Sequence, residues 1–136
     1  MNENLQYRLA HPGITVRNLE ESMNWYETNF GFIRGEVKDR PKLGLRLVHM
    51  KLDESEIELV CPYSPSERKP DSAEDLAGLL GVIGLNHIAL SVDDVSRSYN
   101  ALKEKGVEFV GELMESRFFF CRDSANDVLI EIRQRK

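Results

Sequence analysis

The sequence predicts an α+β protein built from two tandem βαβββ modules. Three observations predict it: an internal duplication at one constant offset, an amphipathic helix pattern behind the opening strand of each copy, and a matching acidic strand at the end of each copy. His11-Pro-Gly-Ile-Thr-Val16, followed by Arg17-Asn-Leu-Glu-Glu-Ser22-Met-Asn24, lies over His87-Ile-Ala-Leu-Ser-Val92, followed by Asp93-Asp-Val-Ser-Arg-Ser98-Tyr-Asn100. His, Val, Ser and Asn recur 76 residues apart. Ile57-Glu58-Leu59 closes the first copy and Ile130-Glu131-Ile132 the second. An ordered set of this kind is better explained by two copies of one supersecondary unit than by a single ferredoxin-like sandwich with accidental matches.

Module 1 spans residues 7–60. It opens with an alternating strand, Leu9–Val16. A helix starts at Asn18, with Glu21 at the capping-box spacing, and Leu19, Met23, Tyr26 and Phe30 fall on one face. Gly31 stands where a left-handed C-terminal residue is wanted. Strands follow over Phe32–Val37, Leu43–Leu52 and Glu56–Val60. Residues 61–82 form a linker, with a Pro/Ser-rich run from Pro62 to Pro70 and a short helical stretch around Ala73–Leu80. Module 2 spans residues 83–133. Its opening strand is Leu85–Val92, and its helix starts near Asp94, buries Val95, Tyr99 and Leu102, and stops at Gly106. Its remaining strands are Glu108–Val110, Phe118–Arg122 and Val128–Arg133.

Composition bounds the function. The 136 residues are 41% hydrophobic and 30% charged, which is globular rather than disordered or fibrous. A net charge of −5 repels phosphate backbones and argues against nucleic acid as a partner. The most apolar stretch, Leu76 to Leu85, holds three glycines and is about half the length of a membrane span, so no membrane partner is expected. Met1-Asn-Glu-Asn4 lacks the basic start and apolar run of a signal peptide, and Cys61 and Cys121 form no CxxC pair. Both features lead to a cytoplasmic expectation.

Side chains alternate across a strand, which sorts each strand into two faces. Ala10, Ile14 and Val16 share the face that the first helix covers, and His11, Gly13 and Thr15 point the other way. Ile88, Leu90 and Val92 likewise oppose His87, Ala89 and Ser91. Ile57 and Leu59 oppose Glu58; Ile130 and Ile132 oppose Glu131. Each module therefore offers one His and one Glu on its non-helix face. If the two modules pair into one cupped mixed sheet, two imidazoles and two carboxylates converge around a metal site. Together they carry −2, which a divalent cation neutralises; unpaired, the carboxylates would meet a heavy desolvation cost. His/Glu ligation suits Ni, Zn, Mn, Co or Fe better than Ca or Mg. His49 has no counterpart in the second copy and, alternating with Leu45 and Leu47, reads as rim or packing. At least one of Phe118, Phe119 and Phe120 must face the cup. Arg117 and Arg122 read as solvated, and Cys121 as a strand-end residue rather than a nucleophile.

These residues resemble the vicinal oxygen chelate superfamily, which includes glyoxalase I, methylmalonyl-CoA epimerase, extradiol dioxygenases and bleomycin or fosfomycin resistance proteins. The marks are His11-x-x-Ile-x-Val, Ser22-x-x-Trp-Tyr26, Asn29-Phe-Gly-Phe32 and Ile-Glu58-Leu in the first half. In the second half they are Leu-Asn-His87-Ile-Ala-Leu-x-Val-Asp-Asp, Lys-x-Lys-Gly106-Val-x-Phe and Leu-Ile-Glu131-Ile. The resemblance implies His11, Glu58, His87 and Glu131 as metal ligands. It also implies a glyoxalase-like lyase or isomerase that transfers a proton through a metal-bound enediolate, with Glu131 as the mobile base and Glu58 as the weaker or second base. An epimerase of acyl-CoA or 2-oxoacid substrates is the next reading. An Fe(II) extradiol dioxygenase or a metal-free small-molecule binding protein is the third. The implied substrate is a hemithioacetal, an acyl-CoA or an oxoacid, and the implied assembly a homodimer. Thr15 stands where glutathione-dependent glyoxalases carry Arg, and Pro62 where they commonly place Asn, so the resemblance points away from glutathione. Ile-Glu58-Leu-Val-Cys-Pro-Tyr-Ser-Pro resembles the epimerase linker, but Gly111-Glu-Leu-Met-Glu-Ser116 stands where epimerases place a Gly-rich loop.

Overall fold

A computed structural model describes residues 6, 9–66, 75–80 and 85–135. The chain forms two compact units, Met1–Ser64 and Pro65–Lys136. The first contains β1 (Gly13–Thr15), α1 (Leu19–Phe30), β2 (Ile33–Arg34), β3 (Lys38–Arg40), a 3-10 turn at Pro41–Leu43, β4 (Leu45–Leu52) and β5 (Ser55–Pro62). The second contains α2 (Leu76–Leu80), β6 (Ile88–Val92), α3 (Val95–Glu104), β7 (Glu108–Met114), β8 (Phe118–Asp123) and β9 (Val128–Gln134). This is a mixed α+β fold: from β6 to β9 the second unit has the βαβββ order, and the first has the same order with one extra short strand, β3, paired on β4.

Each unit holds one mixed sheet. In the first, the order is β1-β5-β4-β2, with β3 also on β4; in the second it is β6-β9-β8-β7. The opening strand lies parallel to the closing one in both, β1 on β5 and β6 on β9. That pairing sets the Glu-bearing strand beside the strand that follows the His in each unit.

The helices form where local signals demand them. Asn18 caps α1 by accepting from the Glu21 N–H at 2.9 Å, and Gly31 ends it with φ +81°. Asp94 caps α3 by accepting from the Arg97 N–H at 3.1 Å. In the first unit the core joins Leu19, Met23 and Tyr26 of α1 to Ile14, Val16, Val48, Met50, Ile57 and Leu59 of the sheet, all buried. Each large apolar side chain taken fully out of water contributes about 1.5–3 kcal/mol. Arg34 fastens β2 to α1 with two bonds of 2.7 Å to Glu27 and further bonds of 2.8 Å to Glu20 and Asn24. The hydrogen-bonded guanidinium holds the Glu27 carboxyl below the usual carboxylate range. In the second unit Val95, Leu102, Phe119, Ile130 and Ile132 are buried together with the half-buried Tyr99, whose ring lies 5.2 Å from that of Phe119.

Boundaries differ from the sequence expectation at identifiable places. Both opening strands are shorter than the alternating pattern, and Leu9 and Leu85 are 95% and 82% exposed. In the first unit Pro12, with no N–H to donate, uses only its carbonyl, which accepts from the Glu58 N–H at 3.0 Å. The expected strand Phe32–Val37 is divided at Gly35. Its N–H donates to the His49 carbonyl at 2.9 Å, and a Cβ there would stand 3.0 Å from that oxygen. β7 runs on past Val110 through an irregularity at Gly111, whose φ is +81°. β5 extends through Pro62 into the expected linker. The end of the Pro/Ser-rich run, residues 67–70, and the start of the expected helix, residues 73–74, lie outside the described residues, as do 81–84. Among the described residues no helix is long and apolar enough to cross a membrane.

Candidate metal centre

In the first unit the strand register gathers the donors. Glu58 on β5 pairs with Gly13 of β1 on one side and with His49 of β4 on the other. His11 stands two residues before Gly13. Glu58 Oε1 is 3.7 Å from His11 Nε2, and Glu58 Oε2 is 3.1 Å from His49 Nε2. His49 Nδ1 faces Glu56 Oε2 at 2.9 Å. One ligand atom each from His11, His49 and Glu58 lies within 4.8 Å of the others. These side chains are 23–39% exposed, so water reaches the cluster.

In the second unit the pair is His87 and Glu131. His87 Nε2 lies 3.3 Å from Glu131 Oε1, and Arg133 Nη1 donates to Glu131 Oε2 at 2.6 Å. Glu131 is 7% exposed although it is a carboxylate. Register places Phe120 and Ala89 beside Glu131, and Phe118 and Ser91 beside Arg133. The Arg133 guanidinium lies 5.8 Å from the Phe118 ring centre, and the His87 ring meets Phe120 edge-on at 5.3 Å. Removing a carboxylate from water costs several kcal/mol unless it is paired, and Arg133 offsets that cost here. Ala89 and Ser91 are exposed, so Glu131 has small side chains beside it on β6 and the Phe118 and Phe120 rings beside it on β8.

Residues 8–132 match the family described as the Glyoxalase/Bleomycin resistance protein/Dioxygenase superfamily. The chain belongs to this superfamily. It is 31% identical over 107 residues to an ethylmalonyl-CoA/methylmalonyl-CoA epimerase of Cereibacter sphaeroides, covering 76% of this chain and 75% of that protein. It is 28% identical over 134 residues to the mitochondrial methylmalonyl-CoA epimerase of Dictyostelium discoideum, covering 94% and 78%. Among solved structures it is similar to the trypanothione-dependent glyoxalase I of Leishmania major, with a TM-score of 0.74 and 22% identity over 95% of this chain and 87% of that one. The last of these likenesses concerns the fold alone.

The residues present fit the divalent metal that the superfamily implies. In the first unit one ligand atom each from His11, His49 and Glu58 comes within 4.8 Å of the others, and two imidazoles with a carboxylate are a donor set that suits such a cation. Its alternation with Leu45 and Leu47 assigns His49 to rim or packing. The structure instead places its ring between Glu56 and Glu58, because β4–β5 register, which periodicity does not contain, puts it opposite Glu58. Arg133 was missed altogether, although its place two residues after Glu131 puts it on the same face. Phe118 and Phe120 both share the Glu131 face, while Phe119 turns inward with Ile132. Arg122, expected to be solvated, lies 3.5 Å from Glu108 and 3.6 Å from Asp127. Cys121 lies inside β8 rather than at its end, fully buried, and burial pushes its thiol up to about 12. A thiol held in that form is a poor nucleophile.

Proposed function

We propose that this protein is a divalent-metal-dependent enzyme that removes and returns a proton on the carbon next to a thioester carbonyl, with epimerisation of a small malonyl-type acyl-CoA as its reaction. The observation that carries this reading is Glu131: a buried carboxylate with small side chains beside it on β6, within reach of an imidazole and a guanidinium. The likeness to the two acyl-CoA epimerases supports the substrate class. His11, Glu58, His87 and Glu131 are the proposed ligands, and His49 is a further donor beside Glu58. When bound, the metal would polarise the carbonyl oxygen and stabilise negative charge beside it. Glu131 accepts the proton as the C–H bond breaks, and Glu58 is the candidate for returning one to the same carbon. Arg133 bonds the second oxygen of Glu131, Oε2, and Phe118 and Phe120 supply an apolar wall beside the reacting carbon. We further propose that residues 7–60 and 83–133 act as one catalytic domain, in a cytoplasmic homodimer.

A second reading, isomerisation of a hemithioacetal as in glyoxalase I, uses the same proposed His–Glu–His–Glu donor set, which glyoxalase I shares with many methylmalonyl-CoA epimerases. Thr15 and Pro62 weigh against glutathione as its thiol. Two assays on protein loaded with Zn, Ni, Co or Mn separate the readings. Washing deuterium from D2O into the α-position of methylmalonyl-CoA, followed by NMR, supports the first. No exchange together with turnover of methylglyoxal hemithioacetals replaces it with the second. Oxygen uptake with a catechol and Fe(II) overturns both.

A further inference from the structure

Beside His87 stands Asn86, a residue outside the proposed ligand set, and its two hydrogen bonds leave no freedom of assignment. The Asn86 Nδ2 group donates to the Leu79 carbonyl at 2.7 Å, and Asn86 Oδ1 lies 2.9 Å from His87 Nδ1. A carbonyl oxygen only accepts, so the amide nitrogen must be the end that faces Leu79. The amide oxygen must then be the end that faces His87. It too only accepts, so His87 Nδ1 carries a proton. With Nδ1 committed to Asn86, Nε2 is the nitrogen left to face Glu131 Oε1 at 3.3 Å, where a carboxylate or a cation can be its partner.

The anchor for this amide is itself held in place. Leu79 lies in the last turn of α2, where backbone carbonyls lack partners within the helix, and Asn86 satisfies one of them. α2 is seated by Leu76 and Leu79 against Val110, Phe120 and Leu129. Gly111 lies beside that seat with a backbone φ of +81°, and a Cβ there would be in ordinary contact with Leu76 Cδ2 at 3.5 Å. The other module has no such device: the equivalent position, 76 residues earlier, is Ala10.

We propose that Asn86 is a positioning residue that, braced by α2, holds His87 with Nδ1 protonated and so presents Nε2 as the nitrogen for a borderline divalent cation such as Zn(II). The inference rests on His87 being a ligand, as proposed above, and it deepens that reading by naming what orients the ligand. Partners of this kind commonly set metal affinity by 10–100-fold.

The test uses the full chain and Zn(II) in competition with a chromophoric chelator, together with 15N NMR of the His87 ring. Asn86→Leu, which removes the acceptor at similar volume, is expected to weaken Zn(II) binding about 10–100-fold. Asn86→Asp keeps an acceptor for Nδ1 but gives up the bond to Leu79; it is expected to lose less affinity than Asn86→Leu, the partial rescue that a merely structural role would not produce. In the unsubstituted protein the His87 spectrum is expected to show Nδ1 protonated. Equal affinity in Asn86→Leu, an equal loss in both variants, or a ring protonated at Nε2 alone overturns the proposal. If Asn86→Leu does not fold, the ring spectrum still decides. If the unsubstituted protein binds no Zn(II), the metal-dependent reading fails by itself, and the His87 spectrum of the metal-free protein still decides the role of Asn86.

Discussion

The two modules carry the same His–Glu pair on the same face of equivalent sheets, yet they surround it differently. In the first, Glu58 lies between two imidazoles, His11 and His49, with Glu56 behind His49, and the cluster is partly open to water. In the second, Glu131 is almost wholly buried and is shared by His87 and Arg133, while Asn86 holds the far side of the His87 ring. Duplication thus set where the donors stand, and neighbours that are not duplicated set what each donor does. A hydrated carboxylate among imidazoles suits steady ligation. A desolvated one with a single cationic partner suits a group that must take up and release a proton, because nearby water competes less for it.

Four substitutions sharpen or break that contrast, taken from the largest expected effect. Glu131→Gln should lower α-proton exchange by about 10²–10⁴-fold with the fold retained by circular dichroism, and Glu58→Gln by roughly tenfold. Equal losses would erase the division of roles. His49→Leu should weaken Zn(II) binding about tenfold if the ring serves as a donor, measured by chelator competition; unchanged affinity would return His49 to the rim. Arg133→Met keeps the apolar contact over Phe118 while releasing Glu131 Oε2. It should tighten Zn(II) binding about threefold, a small effect because the guanidinium is half exposed. Weaker binding would show that Arg133 orders Glu131 for the metal rather than competing with it.

The smallest effect concerns the core behind the second pair. The folded Cys121 thiol has its pKa raised from 9.0 to about 12 by burial. Its contribution to stability is therefore complete below the unfolded value and declines as pH rises from about 9 towards 12. Cys121→Ala should flatten that part of the alkaline stability curve in urea titrations at successive pH values. Persistence of the same decline in the variant would assign it to other groups.

The architecture was legible because its signals are local and repeated. Asn18, Gly31 and Asp94 mark helix ends through bonds that span a few residues, and alternation alone separated Glu58 and Glu131 from their apolar neighbours. The site was legible only in part. Glu131 and His87 could be sorted to one face, but the burial of Glu131 depends on what packs around it. Pro12 and Gly35 altered strand ends through single backbone hydrogen bonds to residues distant in sequence.

By itself the sequence determined the duplicated βαβββ order, the helix caps and the face on which each His and Glu stands, since these follow from periodicity and short-range hydrogen bonding. Tertiary structure alone decided that His49 opposes Glu58 and that Leu79 braces Asn86 behind His87. Each of those depends on strand register or on the seating of a short helix. They are pairings between separated segments, made favourable by burying surface together, and no local pattern encodes them.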